Sequence, residues 1–203
     1  MLIEHRGARP VVDPSTRIAP NAVICGDVTV AANCSIGFGV VLTAESGPIT
    51  IGENCVIMDT AVIRGVRGNP ARIGKNVLIG PRAYLTGCTV GDDAFVATGV
   101  TVFNGAAIGS GAEVRVNGIV HLRTKLPAGA TVPLGWVAVG DPAEILPPDA
   151  HDAIWAIQKP LDFPRYVFGV ERAAEGESVM PDVMPRYAAA LIRGHGEDRE
   201  VGG

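Results

Sequence analysis

The sequence predicts an all-β solenoid, a parallel β-helix built from six-residue repeats with a short helical tail. Three observations carry the prediction. The first is composition: 26 glycines and 15 prolines stand beside 5% aromatic residues in 203 positions, while 47% of the chain is hydrophobic. So many turn residues do not suit a helical bundle, and so apolar a chain does not stay disordered. The second is a step of six between aliphatic residues, seen at Ile18, Ile24, Val30, Ile36 and Leu42, again at Ile51, Ile57 and Ile63, and at Ile73, Ile79 and Leu85. It continues through Val90, Val96, Val102, Ile108, Val114, Val120, Leu126 and Val132. The third is a small residue two positions earlier at Ala22, Cys34, Cys88, Ala94, Ala106, Ala112 and Gly118. Six is no helical period, whereas an apolar position paired with a small one two residues before it fits a strand.

Three such repeats make one triangular coil, and coils stack about 4.8 Å apart, so the aliphatic series becomes an interior ladder. Gly52, Gly74, Gly91 and Gly109 each follow an apolar position on one edge, where a turn needs either positive φ or close backbone approach. The step breaks three times: three extra residues between Leu42 and Ile51, four between Ile63 and Ile73, and one missing between Leu85 and Val90. Loops are therefore predicted at "TAESGP" and "RGVRGNPAR".

The domain division is 1–145 for the solenoid and 146–203 for a helical tail. "PDAHDAIWAIQK" reads as a helix capped by Asp149, with Ile154, Trp155 and Ile157 on its apolar side. "PDVMPRYAAALIRG" reads as a second helix, and the final "GHGEDREVGG" as frayed chain.

Seventeen basic and twenty-one acidic side chains leave a formal net charge of −4, which excludes a general nucleic-acid or membrane-surface binder. No apolar run suggests a signal peptide or a membrane span, so a cytoplasmic protein is expected. Cys25, Cys34, Cys55 and Cys88 form no CxxC pair and read as packed thiols.

The stretches "GDVTVAANCSIGFGVVLTAESGPITIGENCVIMDTAVIRG", "IGKNVLIGPRAYLTGCTVG" and "FVATGVTVFNGAAIG" resemble the gamma-class carbonic anhydrases and their carnitine-operon-like and ferripyochelin-binding relatives. The resemblance implies a left-handed β-helix and a homotrimer whose inter-subunit cleft holds zinc on three histidines, leaving a fourth position for a reactive water. Here those ligand positions are Arg64, Pro81 and Thr86, and the supporting positions carry Thr43, Glu45 and Met58. No metal, no cofactor and no carbon dioxide hydration are therefore expected.

Coil arithmetic places Cys25, Thr43, Arg64, Thr86, Phe103 and His121 in one outward column, with His121 the one imidazole expected on that face. Arg64, Arg67, Arg72 and Arg82 could grip an anion through planar guanidinium forks, or could be held by carboxylates such as Glu45 or Asp59. The candidate site is Arg64, Arg82, Thr86 and Asn104 for a small anionic ligand, with Glu45 and His121 as acid–base groups. The hexapeptide acyltransferases of the same superfamily suggest an alternative, in which His121 acts as general base on a coenzyme A thioester reaction. A non-catalytic structural subunit is the third reading. His5, His151 and His195 lie near the termini or in the tail, and no catalytic role is expected of them.

Overall fold

The structure, a computed structural model, describes residues 1–174 and 176–201. Short strands wind into a parallel β-solenoid. One column contains eight stacked strands: Leu2–Glu4, Val23–Val30, Val41–Ile51, Val62–Arg64, Tyr84–Thr86, Thr101–Val102, Ile119–Val120 and Val137–Val139. A second sheet stacks Arg17–Ile18, Ser35–Ile36, Val56–Ile57, Leu78–Ile79, Phe95–Val96, Glu113–Val114 and Thr131–Val132.

The six-step series forms the core. Every member from Ile24 to Val132 is buried, and Ile18 alone, in the first coil, is only partly covered. The small partners Ala22, Cys34, Cys88, Ala94, Ala106 and Ala112 are buried beside them, and all four cysteines are free thiols. Each fully buried Ile or Leu contributes about 1.5–3 kcal/mol, so the ladder holds the coils together alongside the backbone hydrogen bonds between them.

The glycine edge is a matter of proximity. Gly52, Gly74, Gly91 and Gly109 do not have positive φ. A Cβ on Gly52 would lie 2.8 Å from the Gly74 carbonyl carbon, and one on Gly91 would lie 2.6 Å from the Ser110 nitrogen. Asn33, Asn54, Asn76 and Asn117 occupy the left-handed turns instead, at φ near 55–58°.

Of the two insertions, the first departs from the predicted loop and the second forms one. "TAESGP" lies within one continuous strand, Val41–Ile51, which pairs with Val62–Arg64 before the insertion and with Ala71–Ile73 after it. Burial alternates at Leu42 and Ala44, breaks over 45–48 and resumes in the opposite phase at Ile49 and Ile51, so the odd number of extra residues turns the corner within the strand. This is feasible because Gly47 and Gly65 let the two backbones meet where any Cβ would collide. "RGVRGNPAR" protrudes only as a tight reversal in which Val66 and Asn69 bridge antiparallel, with Gly68 at φ 74°.

The solenoid ends in an antiparallel pair, Val137–Val139 with Glu144–Leu146. Helix α1 (His151–Gln158) sets Ile154 and Ile157 on Val137 and Val139. Its N-terminal cap is Ala150 with no side-chain bond, so the expected Asp149 cap is corrected. Helices α2 (Phe163–Phe168) and α3 (Met180–His195) follow. The terminal segment is not frayed as far as Val201: Arg199–Val201 pairs antiparallel with Leu2–Glu4, and Arg199 donates to Glu4 at 2.6 and 3.1 Å. Residues 202–203 of the segment expected to fray lie outside the described residues. The tail thus runs from the last coil back to the first. Among the described residues no helix is long and apolar enough to cross a membrane.

Candidate functional site

Strand register assembles the outward column as the spacing predicts. Cys25 pairs with Thr43, Thr43 with Arg64, and Arg64 with Thr86. Leu85 then pairs with Val102 and Val102 with Val120, which carries Phe103 and His121 into the same line. The Phe103 and His121 rings lie 5.4 Å apart.

This edge is covered by the chain's own tail. Residues of α2 and α3 roof a cavity of about 530 Å³, with Phe163, Tyr166, Phe168 and Tyr187 as its aromatic wall. The floor is Glu45, Arg64, Tyr84, Thr86, Phe103 and Asn104. Tyr166 fixes α2 to the coil by donating its hydroxyl to Asn69 Oδ1 at 3.0 Å.

Each floor group already has a partner. The Arg64 guanidinium is ion-paired with the Glu45 carboxylate and donates to the Tyr84 hydroxyl at 3.3 Å. Burial works against the Arg64 charge, but the Tyr84 and Tyr187 phenols outweigh it and leave its pKa above the ordinary value. The Thr86 hydroxyl donates to Asn104 Oδ1 at 2.8 Å, which orients both side chains. Of the two partners weighed for Arg64, the structure provides the carboxylate.

Two other expected members fall outside. Arg82 is exposed in a left-handed turn at φ 58° and does not line the cavity. Its position in the turn, rather than on the strand, points it away from the column. His121 is beside Phe103 and also does not line the cavity; its Nδ1 is buried without a hydrogen-bond partner, and burial lowers its pKa. Asp59 is an exposed turn residue that accepts the Phe38 backbone N–H at 2.8 Å, not an arginine partner.

His121 is not the sole imidazole near this edge. His5 Nε2 lies 3.1 Å from the Glu45 carbonyl, and His195 stacks on His5 with ring centroids 4.6 Å apart. Position along the chain concealed this, since the contact is made by segments about 190 residues apart. The tail aromatics Tyr166 and Tyr187 were missed for the same reason; no repeat places them.

The residues at the family's metal positions do not fit zinc. Arg64 is a permanently charged donor bound to Glu45, Thr86 is a neutral hydroxyl engaged by Asn104, and Pro81 offers no side-chain donor atom.

Stacked coils with a six-residue period define the class as a hexapeptide-repeat protein. Residues 9–44 match the family model "Bacterial transferase hexapeptide (six repeats)", and residues 70–104 match "Hexapeptide repeat of succinyl-transferase". The chain is 31% identical over 140 residues to carnitine operon protein CaiE of Salmonella agona, covering 69% of this chain and 68% of that one. It is 35% identical over 126 residues to gamma carbonic anhydrase 2, mitochondrial, of Arabidopsis thaliana, covering 59% of this chain and 45% of the relative. A hexapeptide transferase family protein from Anaplasma phagocytophilum superposes with a TM-score of 0.52 at 33% identity, over 78% of this chain and 90% of that one. The chain belongs to the gamma-carbonic-anhydrase-like family of hexapeptide-repeat proteins. It spans about half the length of the plant relatives, 45% and 50% of the first two.

Proposed function

We propose that the chain binds a small anionic metabolite with an apolar body in the cavity above the Arg64–Thr86 column. The observation that carries this reading is the lining. Three arginines, Arg64, Arg67 and Arg186, face two carboxylates, Glu45 and Asp182, so the cavity is net positive while its roof is aromatic. Arg64 is neutralised by Glu45, and Arg67 and Arg186 have no ion pair among the described residues. They are the free guanidiniums for a carboxylate or phosphate, with Thr86 and Asn104 as neutral hydrogen-bonding groups below. The ligand group thus becomes Arg67 and Arg186 over Thr86 and Asn104, in place of Arg64 and Arg82.

Acyl transfer with His121 as base is the second reading. It is supported by an imidazole that burial keeps neutral and by the name of the Anaplasma relative. The threefold assembly belongs to the same proposal. Outward Val56 and Phe95, 41% and 40% exposed, stack with Leu78 on the second sheet and offer an apolar stripe for subunit contact. A cytoplasmic setting remains the expectation, although the plant relatives are named mitochondrial.

Calorimetry with a panel of carboxylates and with acetyl-coenzyme A tests the reading. A carboxylate with a hydrocarbon body should bind, and Arg67→Ala with Arg186→Ala should weaken it by about tenfold or more, since a hydrogen bond to a charged group contributes about 1.5–3 kcal/mol. Binding of the thioester alone, lost in His121→Phe, would replace this reading by acyl transfer.

A further inference from the structure

Beside the first coils, the two ends of the chain bring four metal-ligating side chains into one cluster. His5 comes from the N-terminal arm, Cys25 from the head of the outward column, and His195 and Asp198 from the end of α3 and the turn after it. Their donor atoms all lie within 4.8 Å of one another. A tetrahedral zinc shell has ligand–ligand edges of about 3.3–3.8 Å, given bonds of about 2.0–2.3 Å, so small side-chain shifts reach it. Two imidazoles, a thiolate and a carboxylate are a borderline-soft set that suits zinc over magnesium or calcium.

The hydrogen bonds within the cluster show which ring atom faces the other ligands. The Glu45 carbonyl can only accept, so His5 Nε2 at 3.1 Å must carry the hydrogen. The Nδ1 of a neutral His5 is then a lone pair, yet it faces Asp198 Oδ1 at 2.6 Å, and two acceptors at that distance repel. Asp198 Oδ2 also meets His195 Nδ1 at 2.7 Å and Cys25 Sγ at 3.9 Å. At 2.6 Å only a proton fits between these two atoms, so the metal-free cluster is closed by a hydrogen bond; a zinc ion in its place moves the two ligand atoms apart to about 3.3 Å and leaves the side chain of His5, 2% exposed, neutral. A ligating histidine whose other N–H is held by a carbonyl is the usual second sphere of a zinc site.

We propose that His5, Cys25, His195 and Asp198 form a zinc site that fastens the C-terminal segment to the first coils. Four protein ligands make it a closed, structural site rather than one with a free position for water. A thiol ligates as the thiolate, so zinc binding at Cys25 releases a proton. A cavity of about 170 Å³ lined by Arg6, Glu45, Arg67 and Tyr187 reaches His195, one of the four ligands.

The full chain, stripped by a chelator and dialysed, would be titrated with Zn²⁺ and separately with Co²⁺. We expect about one zinc per chain, and with cobalt the intense visible bands of a tetrahedral site plus a thiolate-to-metal charge-transfer band. Cys25→Ser should remove the charge-transfer band, and His195→Ala, a change at the exposed rim, should weaken zinc at least about tenfold. His151→Ala on α1 should leave both unchanged, and circular dichroism of each metal-free variant checks that it folds. Absence of zinc binding in the wild type, or equal zinc retention in Cys25→Ser/His195→Ala, would overturn the site and leave a His–Asp network held by a proton.

Discussion

Two edges of the same solenoid obey the same period and do opposite things. At the Gly52–Gly74–Gly91–Gly109 edge, stacking brings backbones so close that no side chain fits. At the Cys25–Thr43–Arg64–Thr86 edge, the same stacking lines up outward side chains, and the tail then roofs Arg64 and Thr86. A repeat therefore supplies positions, and the residues that break its monotony decide whether an edge is structural or chemical. The glycine edge carries stability with no functional group. The opposite edge carries functional groups whose charges must be balanced by neighbours.

Substitutions can separate the two edges, and the largest effect is expected at glycine. Gly91→Val places its Cβ against the Ser110 nitrogen and the Gly109 carbonyl carbon, 2.6 and 2.9 Å away, so the coils must part. A loss of about 3 kcal/mol is expected in urea unfolding. A loss under about 1 kcal/mol would mean that the edge yields and that the glycines are not required by proximity.

On the opposite edge, Glu45→Ala strands the Arg64 guanidinium, whose side chain is 27% exposed. Solvent at Arg64 reduces the usual cost of breaking a buried pair to about 2 kcal/mol. Glu45→Leu with Arg64→Met, which removes both charges, should restore most of it in the same unfolding experiment. No recovery would show that Glu45 serves something other than Arg64. Thr86→Val, which keeps shape and removes one hydroxyl bond to Asn104, should cost about 1 kcal/mol.

The smallest effect concerns pH. Burial lowers the His121 pKa below its ordinary 6.5, so the unfolded chain binds the proton more readily than the folded one. The stability that depends on neutral His121 is present above about pH 6.5 and is lost as pH falls from there toward the lower folded pKa. The melting temperature of the wild type should therefore drop more between pH 7.5 and 5.5 than that of His121→Phe. Equal drops would place His121 in contact with solvent or an acidic partner.

The periodic part of the molecule was legible in the sequence because each repeat reports its own burial. Ile24, Leu42 and Ile63 could be placed on one ladder, and Arg64 opposite Thr86, by counting residues and insertions alone. Counting fails where the chain leaves the period. "TAESGP" looked like a loop because it breaks the step, yet Gly47 and Gly65 let it stay paired. The roof of the cavity could not be counted, since Tyr166 and Tyr187 reach the column by a long return. The pairing of His5 with Asp198, 193 residues apart, leaves no local trace at all. Arg82 failed for a different reason: its turn geometry, at φ 58°, outweighed its closeness in sequence to the column.

The most direct measurement is a crystal structure of the full chain soaked with benzoate, a carboxylate on an apolar ring that the cavity of about 530 Å³ would hold. The predicted result is density for the ring under Phe163, Phe168 and Tyr187, its carboxylate on Arg67 or Arg186, and Arg64 still paired with Glu45. Benzoate bound on Arg64 with Glu45 displaced, or α2 and α3 lifted away with another subunit lying on the column, would contradict it.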